Sequence, residues 1–172
     1  QTNMQDALAG IRYLRSLGEF GTVGALGHSE GGQIVFMLGA AEEADFIISM
    51  AGPGMRGDSI LVEQNRLILT KSGFTPASAD NYCRVLAAML RMKTDGYSTD
   101  SPEALVDSLI TALDAQNMPF GSAANLATVW DTVDDPWMLY FLQSSPVQDI
   151  SRTTCPVFAL NGSLDLQVPP AN

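Results

Sequence analysis

Ser29 is the first group in this sequence that could do covalent chemistry. It sits in Gly27-His28-Ser29-Glu30-Gly31, with Gly32 extending the run. An apolar stretch, Thr22-Val-Gly-Ala-Leu26, precedes it, and a small apolar stretch, Gln33 to Ala41, follows. The first is expected to be a buried strand, Gly27 to Gly32 a turn, and the second a helix. A serine at a sharp strand-to-helix turn has a physical use. The turn strains its backbone, and side chains two residues before or after it would collide, which explains glycine at 27 and 31. The hydroxyl then projects from the end of the strand. The N–H of Glu30 and the positive end of the helix dipole face the same spot and would stabilise an oxyanion there. The chemistry is nucleophilic attack on a carbonyl. A bare match recurs by chance, and a serine in an ordinary strand-to-helix turn is only a polar residue. The strand before it and the helix after it favour the chemical reading. A phosphate-cradling loop is excluded, because neither Gly-x-x-x-x-Gly-Lys nor Gly-x-Gly-x-x-Gly is present.

A serine nucleophile needs a base, and the base needs an orienting acid. Asp165 is the best acid. It follows the apolar run Val157-Phe-Ala-Leu160 in Gly162-Ser-Leu-Asp165, so it stands beyond a strand end, as Ser29 does. A surface-turn aspartate is the bland alternative. No acid follows the run Phe46-Ile-Ile-Ser-Met50 directly. The single histidine is His28. Adjacent residues at such a turn point in different directions, so His28 is expected to pack beside the sheet rather than serve as the base. The order serine, acid, histidine puts the base beyond Asn172, within roughly 20 to 40 residues downstream. The chain is therefore expected to be a middle-to-late piece of an enzyme, and inactive alone.

The elements that must position these groups follow from periodicity. Asn3 to Leu17 places Met4, Leu8, Ile11 and Leu14 on one helix face, with Gly18 as its stop. Phe46 to Met50 is an apolar run suited to a strand buried on both faces. Ala51-Gly-Pro-Gly54 is a loop after it. Ser59 to Ser72, Ala77 to Met92, Pro102 to Gln116 and Pro136 to Gln143 are expected helices, with a shorter one around Ala123 to Asp131. Ser101 before Pro102 and Asp135 before Pro136 are N-cap and first-turn pairs. Strands alternating with helices argue for a parallel sheet. The fold class is α/β, with an incomplete sheet whose outer strands are left as edges. Residues 1–55 and 151–172 are expected to form the core, and 56–150 a helical insertion.

Nineteen acids against nine bases give a net charge of −10, which argues against a nucleic-acid partner. The apolar run Ile34 to Ala41 is too short to span a bilayer. Cys83 and Cys155 match no metal spacing and are expected to be buried free thiols, with one disulfide as the alternative. No cofactor or metal is called for, and no targeting signal can be read.

These segments resemble the α/β-hydrolase superfamily, and most of all bacterial carboxylesterases carrying a Gly-His-Ser-Glu-Gly-Gly elbow. The similar stretches are Gly27 to Gly32, Ala51 to Gly54 with Glu63-Gln64 after it, Pro136-Trp137 to Phe141, and Pro156 to Val168. The resemblance implies an incomplete α/β-hydrolase fold with a helical cap. Ser29 would attack an ester carbonyl, Glu30 N–H would be one oxyanion donor, and Asp165 would orient the histidine. Ala51, Gly52, Pro53 and Gly54 would line the site. The earlier strands, the second oxyanion donor, and the final strand and helix would come from the rest of the parent chain or from another chain. Ser145-Pro146 replaces the family's Asp-Pro, with an effect expected only on that turn. The substrate would be a small uncharged ester. Trp130, Trp137, Tyr140 and Phe141 suit an apolar pocket, although each could equally be cap core. A serine aminopeptidase or thioesterase on the same framework is an alternative. So is a non-catalytic piece that associates through its strand edges.

Overall fold

The structure is a computed structural model and describes residues 2–172. The elements in chain order are α1 (Thr2–Ser16), β1 (Ala25–His28), α2 (Glu30–Ala40), β2 (Ile47–Met50), α3 (Gly57–Lys71), α4 (Pro76–Thr94), α5 (Pro102–Ala112), α6 (Ser122–Thr132), α7 (Pro136–Gln143), α8 (Val147–Arg152) and β3 (Val157–Leu160). The chain is mixed α/β and divides into two compact units. One is Gln1–Arg56 with Ser145–Asn172, and the other is Gly57–Ser144. Helix α8, which the sequence reading did not expect, packs on α2, so residues 145–150, assigned there to the insertion, belong to the sheet unit.

In the sheet unit the strands lie in the order β1-β2-β3, all parallel. Ala25, Ile47 and Val157 stand level at one end, and His28, Met50 and Leu160 at the carboxyl end. Successive side chains face opposite sides. Ile47 and Ser49 point to the side covered by α2 and are 1% and 4% exposed. There Met4, Ala7, Leu8 and Ile11 of α1 join Val35, Phe36 and Leu38 of α2 in one apolar cluster. Leu14, expected on that face, is exposed. On the opposite side Leu26 and Phe158 are both 62% exposed. The expectation of strands buried on both faces is thus corrected. Only one face is covered among the described residues, a distinction that short apolar runs do not encode.

The expected boundaries also shift at the motif. Gly27 and His28 belong to β1, paired with Ser49 and Met50, and α2 begins at Glu30. The turn predicted over six residues is Ser29 alone. Parallel pairing with β2 carries the strand further than its apolar residues do.

In the other unit α4 is the central helix. Its Tyr82, Cys83, Val85, Leu86, Met89 and Leu90 meet Leu105 and Val106 of α5, Leu126 and Trp130 of α6, and Leu142 of α7. The α4 start is fixed by Thr75, whose hydroxyl accepts from the Ser78 N–H, with Pro76 in the first turn. Asp135 caps α7 as expected, accepting from Trp137 and Met138 N–H. Ser101 makes no such side-chain bond. Trp130 is 2% exposed, with Lys93 Nζ 4.1 Å from its ring centroid and Tyr97 edge-on to it. It is therefore core. Trp137 and Tyr140 are exposed, and Trp137 stacks on Phe141.

Candidate active site

Ser29 is the one residue between β1 and α2, and its backbone angles are φ 56° and ψ −121°. A non-glycine residue seldom adopts this left-handed φ, and holding it costs of order 1–3 kcal/mol. The strain persists because both backbone groups of Ser29 are held. Its N–H donates to Met50 O at 2.9 Å, and its carbonyl accepts from Gly32 N–H at 2.8 Å. Ser29 occupies the N-cap position of α2, yet its hydroxyl makes no capping bond. The side chain is exposed, and Glu30 is the first residue of the helix.

The two elbow glycines differ. A Cβ at Gly27 would collide with the Gly31 carbonyl group. A Cβ at Gly31 meets nothing within 4 Å among the described residues. The expected collision at 31 is corrected: the turn is closed by the backbone of 31 pressing on residue 27, and the space outside 31 is open. Gly32 is the other tight position. A Cβ there would stand 2.5 Å from Gly52 Cα and 2.9 Å from Ser49 Oγ.

Asp165 follows β3, so it stands on the same carboxyl edge as Ser29, with β2 between their strands. Two strand spacings put β1 and β3 about 10 Å apart. Asp165 Oδ1 accepts from Gln167 N–H at 2.9 Å and Val168 N–H at 3.0 Å. Asn161 Nδ2 donates to Val168 O at 2.7 Å and closes the same loop. Asp165 Oδ2 takes no hydrogen bond among the described residues, and the side chain is half-buried.

The loop Ala51 to Gly54 leaves the end of β2. Ala51 also has a left-handed φ, 46°, and its N–H donates to Leu160 O at 2.8 Å. Gly52 packs on Gly32, and Gly54 N–H donates to Asn172 Oδ1. Gly52, Pro53 and Gly54 line a cavity of about 250 Å³ with Phe36, Ser49, Asn161 and Asn172. Neither Ser29 nor Asp165 lines it. His28, expected to pack beside the sheet, is exposed at the end of β1.

Sequence reasoning missed Ser49, Asn161 and Asn172. Ser49 had a legible signal, being the one polar residue in the run Phe46 to Met50. The two asparagines had none beyond their place in a turn-rich segment. No group of three or more His, Cys, Asp or Glu able to hold a metal occurs among the described residues, and no helix there is long and apolar enough to cross a membrane. No protein-family model matches the sequence, and no curated protein matches it either.

Proposed function

We propose that Ser29 is the nucleophile of a serine hydrolase of the α/β-hydrolase type that cleaves small carboxylic esters. The observation that carries this is the Ser29 backbone, strained at φ 56° in a one-residue turn with its hydroxyl exempt from capping. A serine that served only the helix would take an extended N-cap conformation and accept from the first turn. In the proposed reaction Ser29 Oγ attacks the ester carbonyl and gives its proton to a histidine. The oxyanion forms beside Glu30 N–H at the positive end of α2. The histidine returns the proton to the departing alcohol, and water then cleaves the acyl–Ser29 ester with the same base.

Asp165 supports the reading by its place. About 10 Å between β1 and β3 leaves room for one imidazole between two hydrogen bonds of about 3 Å. Its Oδ1 is used by its own loop, so Oδ2 is the oxygen for the imidazole N–H. The histidine is a group from outside residues 1–172, since His28 precedes Ser29 directly in the strand.

The test is hydrolysis of p-nitrophenyl acetate and butyrate by the protein with its native flanking sequence. Ser29→Ala is expected to lower kcat by about 10⁴ to 10⁶, and Asp165→Asn by about 10⁴. Asp165→Asn keeps an acceptor for the Gln167 and Val168 amides, so its loop should stay folded. Equal rates in parent and Ser29→Ala would sink the proposal. Faster cleavage of aminoacyl p-nitroanilides than of esters would move the substrate class to peptides.

A further inference from the structure

Ser49 is 4% exposed and sits on β2, facing the first turn of α2. Its hydroxyl donates to Gly32 O at 3.1 Å. Gly32 N–H donates to Ser29 O, and Ser29 N–H donates to the carbonyl of Met50, the next residue of β2. Two consecutive residues of β2 thus hold the strained serine in a closed ring of hydrogen bonds. Met50 acts through its backbone and would do so with any side chain. Ser49 acts through its hydroxyl and would not.

The hydroxyl reaches Gly32 only because both glycines beside it lack a Cβ. One added at Gly52 would collide with Ser49 Oγ, and one at Gly32 would come within 2.9 Å of it. A buried serine in an otherwise apolar strand carries a desolvation cost that this one hydrogen bond offsets. Alanine in its place would leave the Gly32 carbonyl with one partner fewer and an open space between two glycines.

We propose that Ser49 is a positioning residue for Ser29. Its hydroxyl fixes the first turn of α2 against β2, which keeps the Ser29 backbone in its strained conformation and keeps Glu30 N–H aimed at the developing oxyanion. The catalytic half of this proposal rests on Ser29 being the nucleophile. The holding role does not.

The experiment compares Ser49→Ala, Ser49→Thr and Ser49→Val with the parent by backbone amide exchange, thermal unfolding and ester kinetics in the native sequence context. In Ser49→Ala, exchange at the Ser29 and Gly32 amides is expected to rise about tenfold, while amides of α4 stay unchanged. The value of kcat is expected to fall about tenfold or more with KM within about twofold, because a misaimed oxyanion donor is felt in the transition state. Thr and Val bring the same extra methyl group against Gly32 and Gly52, so their difference isolates the hydroxyl. Ser49→Thr should exceed Ser49→Val in kcat and in protection of Gly32. If Ser49→Ala does not fold, the Thr and Val pair decides. Unchanged exchange at Ser29 and Gly32 in Ser49→Ala, or equal behaviour of Thr and Val, would overturn the proposal. A parent without Ser29-dependent ester hydrolysis defeats the nucleophile reading instead, and amide exchange still decides whether Ser49 holds the turn.

Discussion

The Ser29 N–H donates to the Met50 carbonyl at 2.9 Å, so the most strained residue of the turn is still part of the sheet ladder. β1 therefore continues its pairing with β2 up to the residue where the chain reverses into α2. The ladder supplies the constraint that a free turn would lack. A serine in a relaxed turn would lose its left-handed φ at once.

Ser29→Gly should raise stability by about 1 kcal/mol, because glycine tolerates this φ without steric cost and gives back part of the gain as unfolded-state entropy. Urea unfolding of both proteins measures it. Destabilisation by a similar amount would mean that the serine side chain contributes to the fold, contrary to its exposure and lack of hydrogen bonds.

The elbow glycines should respond in opposite directions. Gly27→Ala places a methyl group on the Gly31 carbonyl and should cost about 3 kcal/mol. Gly31→Ala enters open space within a helix and should be neutral or stabilise by about 0.5–1 kcal/mol. Paired thermal melts would expose the contrast. Equal losses at both positions would contradict the geometry.

Acid sensitivity should arise at Asp45. Its Oδ2 accepts from Val23 N–H at 2.7 Å and its Oδ1 from Arg15 at 2.9 Å. The Val23 hydrogen bond is the main cause that holds its carboxyl below the usual carboxylate range; desolvation opposes it, and the hydrogen bond and charge of Arg15 add to the lowering. A depressed folded value means that the charged form is favoured by folding. The stabilisation is present above the ordinary carboxylate pKa of about 4 and is lost as pH falls through the folded value. Asp45→Asn should lower stability at neutral pH and flatten its decline below about pH 4. Stability measured against pH for both proteins checks the sign.

Thiol reactivity should separate the two cysteines. Both are free, Cys83 is buried, and its Sγ lies 3.5 Å from Val62 O. Burial pushes its thiol pKa up, which leaves less thiolate to react. Cys155 is only half-buried, a correction to the expectation that both would be buried. Titration with Ellman's reagent should label Cys155 first and Cys83 only on unfolding. Equal rates would place Cys83 at the surface.

Much of this architecture was legible in the sequence, for physical reasons. Long helices such as α4 show a 3.6-residue apolar period, and the pair Asp135-Pro136 marks a helix start, whereas the Thr75 cap of α4 was not read from the sequence. The α8 helix was not legible. It has six residues, and its Val147 and Ile150 are exposed, so no apolar face announces it. The ends of β1 were not legible either, because strand length is set by the partner strand rather than by local residues. The motif around Ser29 revealed a strand-to-helix turn, and the apolar run Val157 to Leu160 revealed that Asp165 follows a strand end. Neither revealed that residue 31 has open space or that Ser49 reaches Gly32. Both depend on which backbones approach each other, information that no single segment carries.

The most direct measurement is covalent labelling of the native-context protein with a fluorophosphonate, followed by peptide mass spectrometry. The account predicts one equivalent of label, on Ser29, with labelling abolished in Ser29→Ala and slowed in Asp165→Asn. Label on another serine, or an intact Ser29 after the protein has lost its ester hydrolysis to the reagent, would contradict it.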